Sequence, residues 1–153
     1  MFERNMRERF GIEYFFAAYI MSEMRKAPQR RTFGAYLDVW PDNYEEFPLF
    51  FNKKELDYLE GSPYKDEFNI TNELIKEHYG QICREIPEFA RFDSEEFSKV
   101  LTIVYSRVFT VQVPRRSQQT CLVPFADMIN HSSPMKVNYY YDDEEEGMVF
   151  EAM

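Results

Sequence analysis

Apolar residues recur at three- and four-residue spacings over the first two thirds of the chain and shift to a two-residue alternation near Val108. From about Arg4 to Lys26, good helix formers carry an apolar set that includes Met6, Phe10, Phe16, Ala17, Ile20 and Met24, which predicts a long helix. Between Tyr14 and Met21 apolar residues occupy much of its circumference, so other parts of the fold are expected to cover it. The Pro28 region ends this helix, and Arg30 and Arg31 read as a solvated basic spot. The aromatic, proline-rich segments 32–41 and 45–51 predict irregular chain packed by its own side chains.

Asn52-Lys53-Lys54-Glu55 has the form of a capping box and opens a short helix to about Leu59, after which Gly61 suits a left-handed position. A third helix is expected from Asn69 or Thr71 to Ile86, with Ile70, Leu74, Ile75, Ile82, Cys83 and Ile86 as its apolar stripe and Pro87 as its stop. His78 lies within it without a neighbouring catalytic partner, and reads as structural. Asp93 caps a fourth helix in which Phe97, Val100, Leu101, Val104 and Tyr105 form one face.

Period-two patterning then predicts strands over 108–113 and 120–125, separated by a polar turn. Residues 136–142 and 148–152 form a further strand pair around the acidic tip 143–147, whose spacing matches no calcium loop. The expected organisation is a helical region over residues 1–107 and a β-rich region over 108–153.

With 153 residues, 44% of them hydrophobic, the chain has enough apolar material for one domain with a core, which argues against disorder throughout. The net charge of -9 argues against phosphate-directed binding of nucleic acid and favours a basic protein segment as partner, unless the carboxylates serve solubility alone. Cys83 and Cys121 show no zinc spacing, so no metal is expected. The charged N-terminus lacks a signal-peptide core, and the apolar stretch 14–21 is too short for a bilayer. A soluble intracellular protein of cytoplasm, nucleus or organelle is the expectation.

Leu122-Val123-Pro124-Phe125 reads as a buried strand running into the polar turn Asp127-Met128-Ile129-Asn130-His131-Ser132. These residues resemble the Asn-His motif of SET-domain protein methyltransferases, in the branch of the Rubisco large-subunit lysine and actin-histidine methyltransferases. Ser106-Arg107-Val108-Phe109 resembles the same family's (Ser/Thr)-Arg-x-Phe element. Tyr36-Leu37-Asp38-Val39, Pro48-Leu49-Phe50 and Leu59-Glu60-Gly61-Ser62-Pro63 resemble its helical insert, and are carried as structural.

The resemblance implies an α+β SET-domain fragment, with residues 1–107 as the inserted helical region and 108–153 as a partial SET core. It further implies an S-adenosylmethionine-dependent protein methyltransferase acting on lysine, with histidine as the other substrate class. Such in-line transfer asks the protein for a cofactor pocket, a channel and oriented acceptors. Asn130, His131, Asp127 and Arg107 are the implied cofactor residues, and Ser106, Arg107 and Asp127 the implied substrate channel. On residue type alone, Asp127 also reads as a buried turn cap and His131 as a core histidine.

The family's early glycine-bearing cofactor segment and its later channel tyrosine have no counterpart within these residues, and that tyrosine is expected beyond Met153. Tyr139, Tyr140 and Tyr141 receive no catalytic role, because neighbouring strand residues face opposite ways. The competing expectation is an inactive SET-like binding or assembly module whose open edges a partner chain completes. A helical adaptor is a third reading, which would require 122–131 to be one continuous helix.

Overall fold

The computed structural model describes residues 9–42, 45–130, 133 and 136–152. Helices α1 (Ile12–Met24), α2 (Gly34–Leu37), α3 (Lys53–Asp57), α4 (Pro63–Glu85) and α5 (Ser94–Arg107) come first. Strands β1 (Val108–Gln112), β2 (Gln118–Leu122), β3 (Val137–Asp142) and β4 (Gly147–Ala152) follow. The chain thus mixes helix and strand, α+β in the general sense, with the change at Arg107–Val108. Among the described residues no helix is long and apolar enough to cross a membrane.

Helix α5 carries the core. Asp93 accepts the Glu95 amide at 2.6 Å to cap it, and Phe97, Val100, Leu101 and Val104 are buried as their spacing requires. Only Tyr105 departs from that face and stays 53% exposed. The ring of Phe97 meets those of Tyr14, Tyr79 and Phe89 at 6.0, 5.6 and 5.9 Å, so residues of α1, α4 and the turn after α4 converge on one buried side chain.

The helix expected from Arg4 is interrupted at Gly11, whose φ of 94° lies where side-chain-bearing residues are strained. Arg9 and Phe10 are helical before the break, while residues 1–8, Met6 included, lie outside the described residues. Beyond it α1 packs on α5 and buries Tyr14, Ala17, Ala18, Ile20 and Met21, the wide cover that its composition demands. Met24, placed in the apolar set, is instead surface-exposed.

The capping box at Asn52 forms in full, with Asn52 accepting from Lys54 and Glu55 and Glu55 reaching back to the Asn52 amide. Gly61 follows at a φ of 77°. Helix α4 begins earlier than expected because Ser62 caps it and Pro63 fills its first position, where a missing amide costs nothing. Its buried line is narrower than the stripe read from sequence, for Ile75 and Ile82 are covered while Ile70 and Leu74 face outward. The His78 ring is packed edge-on between Phe10 and Tyr14 at 5.6 and 4.8 Å.

The segments expected to be irregular contain α2 and a 3-10 turn at Pro48–Phe50, and they bury Leu37 and Trp40. Arg31 is not simply solvated: it donates to the Met24 carbonyl at 2.9 Å and to Asp38 at 3.1 Å, closing the corner after α1.

The strands form two antiparallel hairpins. β1 pairs with β2 from Val108↔Leu122 to Gln112↔Gln118, and β3 pairs with β4 from Val137↔Ala152 to Asp142↔Gly147. Phe109 joins them, standing edge-on to Tyr139 and Phe150 at 5.2 Å each. At the acidic tip Asp142 accepts the Glu144 and Glu145 amides, a local turn cap. The strand expected over 120–125 stops at Leu122, and Phe125 is 82% exposed. The third reading, a continuous helix over 122–131, is likewise absent among the described residues.

Glu23 is buried within α1, pairing with the Lys26 ammonium and accepting the Thr32 amide at 2.9 Å. The Lys26 bond first, and then the Thr32 amide, hold its carboxyl below the ordinary value against the opposing effect of burial. The unfolded chain therefore takes up this proton first. The stabilisation is complete above the ordinary value of 4.5 and is lost as pH falls through the lowered one. Glu23→Ala is expected to lower the unfolding free energy by about 1–3 kcal/mol at neutral pH, by removing the buried carboxylate that accepts the Lys26 ammonium and the Thr32 amide. Glu23→Gln is expected to flatten the acid-side loss of stability, which urea unfolding at neutral pH and at about pH 3 measures.

Candidate functional site

The end of α5 delivers Arg107, and the chain after β2 turns back to meet it. That turn is tied by the Asp127 amide on the Val123 carbonyl at 3.2 Å, Met128 on Phe125 at 3.2 Å and Ile129 on Ala126 at 3.1 Å, forming a 3-10 turn over Ala126–Met128. The Asp127 side chain is fully buried by it, and the Arg107 guanidinium donates to Asp127 Oδ2 at 2.8 Å. A longer contact of 3.4 Å reaches the Asp127 carbonyl.

Two residues carried as structural complete the cluster. The Tyr36 hydroxyl, from α2, donates to the same Asp127 Oδ2 at 2.6 Å. Trp40 stands edge-on to Tyr36 at 5.5 Å and lies under the Arg107 guanidinium at 6.0 Å. Burial, and then the neighbouring Asp127 carboxylate, push the Tyr36 phenol well above its ordinary value, so it remains a proton donor throughout the physiological range. Tyr36 and Trp40 are four apart in one short aromatic segment. That spacing marks them as neighbours, yet nothing local marks them as neighbours of Asp127.

The buried Asp127 Oδ1 has no hydrogen-bond partner among the described residues, while the Trp40 indole N–H acts on the Tyr36 hydroxyl. One buried acceptor thus remains unused in the cluster. Ser106 offers less, because its hydroxyl bonds back to the Ile103 carbonyl of its own helix at 2.8 Å. Asn130 lies at the end of the turn, exposed and outside the Asp127 cluster. His131 lies outside the described residues. The structure therefore brings Arg107 and Asp127 together, adds Tyr36 and Trp40, and leaves Asn130 on the surface. Among the described residues no group of His, Cys, Asp and Glu side chains is arranged to hold a metal ion.

The turn is strained where it begins. Phe125 has φ 73° and ψ -45°, near the rare γ-turn conformation, at a cost of about 1–3 kcal/mol. Phe125→Gly is expected to raise the unfolding free energy by about 0.5–1 kcal/mol, since the ring is exposed and glycine accepts this conformation.

Removing one member of the buried pair leaves a charge without its partner. Arg107→Ala is expected to cost about 3–5 kcal/mol, and Tyr36→Phe about 1–3 kcal/mol. The double variant with Arg107→Ala and Asp127→Ala should be less destabilised than the two single changes sum to, and denaturant unfolding of all three measures that coupling. Additive effects would mean that the pair does not hold the turn.

No family model, curated protein or solved structure matches this chain.

Proposed function

We propose that the chain is a SET-type, S-adenosylmethionine-dependent protein-lysine methyltransferase domain, in which Arg107, Asp127 and Asn130 form part of the cofactor side. The observation that carries this reading is the 2.8 Å contact between Arg107 and Asp127. These residues belong to two separate motif segments that the resemblance assigns to one pocket, and they meet across 20 positions of sequence.

Bound S-adenosylmethionine supplies an electrophilic methyl group on a sulfonium. The chain's own residues bind and orient. Asp127 Oδ1 is a buried carboxylate oxygen with no partner among the described residues, suited to an ammonium or hydroxyl donor. Arg107 is committed to Asp127 and holds the turn in place, which makes it a positioning residue. Tyr36 fixes the same carboxylate from the other side. The exposed amide of Asn130, three positions beyond Asp127, can both donate and accept. The acidic surface favours approach of a basic, lysine-bearing protein segment over nucleic acid.

Equilibrium dialysis with labelled S-adenosylmethionine tests the reading. Saturable binding is expected, weakened at least about tenfold by Asp127→Asn and by Asn130→Ala in variants that retain the native circular dichroism. Absence of binding to the unaltered chain, or unchanged affinity in both variants, would overturn it.

One observation favours a second reading, an inactive SET-like assembly module completed by a partner chain. Phe125, Met128 and Ile129 are 82%, 43% and 54% exposed around one turn. Both hairpins are two-stranded, so each leaves open edges among the described residues. A stable complex with a partner protein, together with no cofactor binding, would select this reading.

A further inference from the structure

Beside the Asp127 cluster lies a separate cavity of about 260 Å³ between α1, α2 and the end of β2. Its apolar wall is made by Phe16, Ile20, Phe33, Leu37, Leu122 and Pro124. Four further lining residues carry polar atoms, and their engagements decide what the cavity can hold.

Both carboxylate oxygens of Glu23 are taken, one by the Lys26 ammonium and the other by the Thr32 amide. The Tyr36 hydroxyl is turned to Asp127. The Cys121 thiol contacts the Phe109 carbonyl at 3.7 Å, and burial pushes that thiol above its ordinary value, so it is a neutral wall. Tyr19 is 37% exposed. Apart from Tyr19, the lining side chains thus offer an occupant no vacant hydrogen-bond partner, and a charged group there would lose hydration with little compensation.

Size narrows the class. A dry cavity of about 150 Å³ suffices for a single benzene ring. The larger space here, partly open to solvent beside the exposed Tyr19, Phe33 and Pro124, has room for about two fused rings.

We propose that this cavity binds an uncharged apolar molecule of fused-bicyclic size. Tyr36 gives the site a second consequence, because its ring lines the cavity while its hydroxyl holds Asp127. Occupancy therefore bears on the Asp127 cluster through one shared side chain. This binding requires no methyl transfer and stands apart from it.

Naphthalene is a suitable probe, read by Trp40, the chain's single tryptophan, which stands edge-on to Tyr36. Naphthalene is expected to change Trp40 emission saturably, and naphthalene-1-sulfonate to bind at least about tenfold more weakly because its charge must be desolvated. Leu122→Phe should fill the space and abolish the saturable signal. A readout on the unaltered chain removes dependence on that variant's folding: naphthalene should slow alkylation of Cys121 by iodoacetamide at least about threefold, followed by peptide mass, and leave Cys83 unchanged. A non-saturating emission change, equal affinity for the sulfonate, or unprotected Cys121 would each overturn the proposal.

Discussion

Phe97 is the side chain on which the helical part of the molecule depends. It is fully buried, and the rings that meet it come from α1, α4 and the turn between α4 and α5. Three separate stretches of chain are therefore fixed against α5 by one non-directional but close-packed contact. The consequence extends beyond the core, since α5 leads without a linker into β1 and carries Arg107 at its last turn. Wherever the core sets the axis of α5, it also sets the place of the guanidinium.

That guanidinium then organises the chain after β2. A fully buried carboxylate is costly unless paired, and Asp127 is satisfied on one oxygen by both Arg107 and Tyr36. The partners come from α2 and α5, so the pair pins the turn to the helical body. The strained backbone at Phe125 is held by this arrangement, with the exposed ring contributing little in return. Its other oxygen, Oδ1, stays buried without a partner among the described residues. Tyr36 stands at the junction, since it touches the carboxylate with its hydroxyl and the apolar cavity with its ring.

The two hairpins are held together differently. Their registers are continuous, but each sheet has only two strands, and such units are marginal without a packed face. Phe109 supplies that face by covering Tyr139 and Phe150. A single aromatic cluster thus couples the hairpin that leads to Asp127 with the one that ends in the acidic tip.

The capping residues Asn52 and Asp93 and the buried face of α5 were legible because each depends on residues within a few positions of one another, and the hairpins because a short polar turn separates the two strands of each. The Ser62-Pro63 start of α4 was equally local, and was obscured by treating that pair as the end of the preceding segment. The break at Gly11 was not legible, since glycine permits a left-handed conformation without requiring it. Nor was the exposure of Phe125, because an apolar run looks the same in sequence whether or not another element covers it. The family resemblance joined Arg107 to Asp127 in expectation, while the part of Tyr36, 91 positions from Asp127, had no local signature. The sequence by itself determined caps, periods and pairings, which short-range sterics and hydrogen bonding fix. Only the tertiary structure decided which polar atoms meet in the buried cluster, because that depends on how distant helices pack around Phe97.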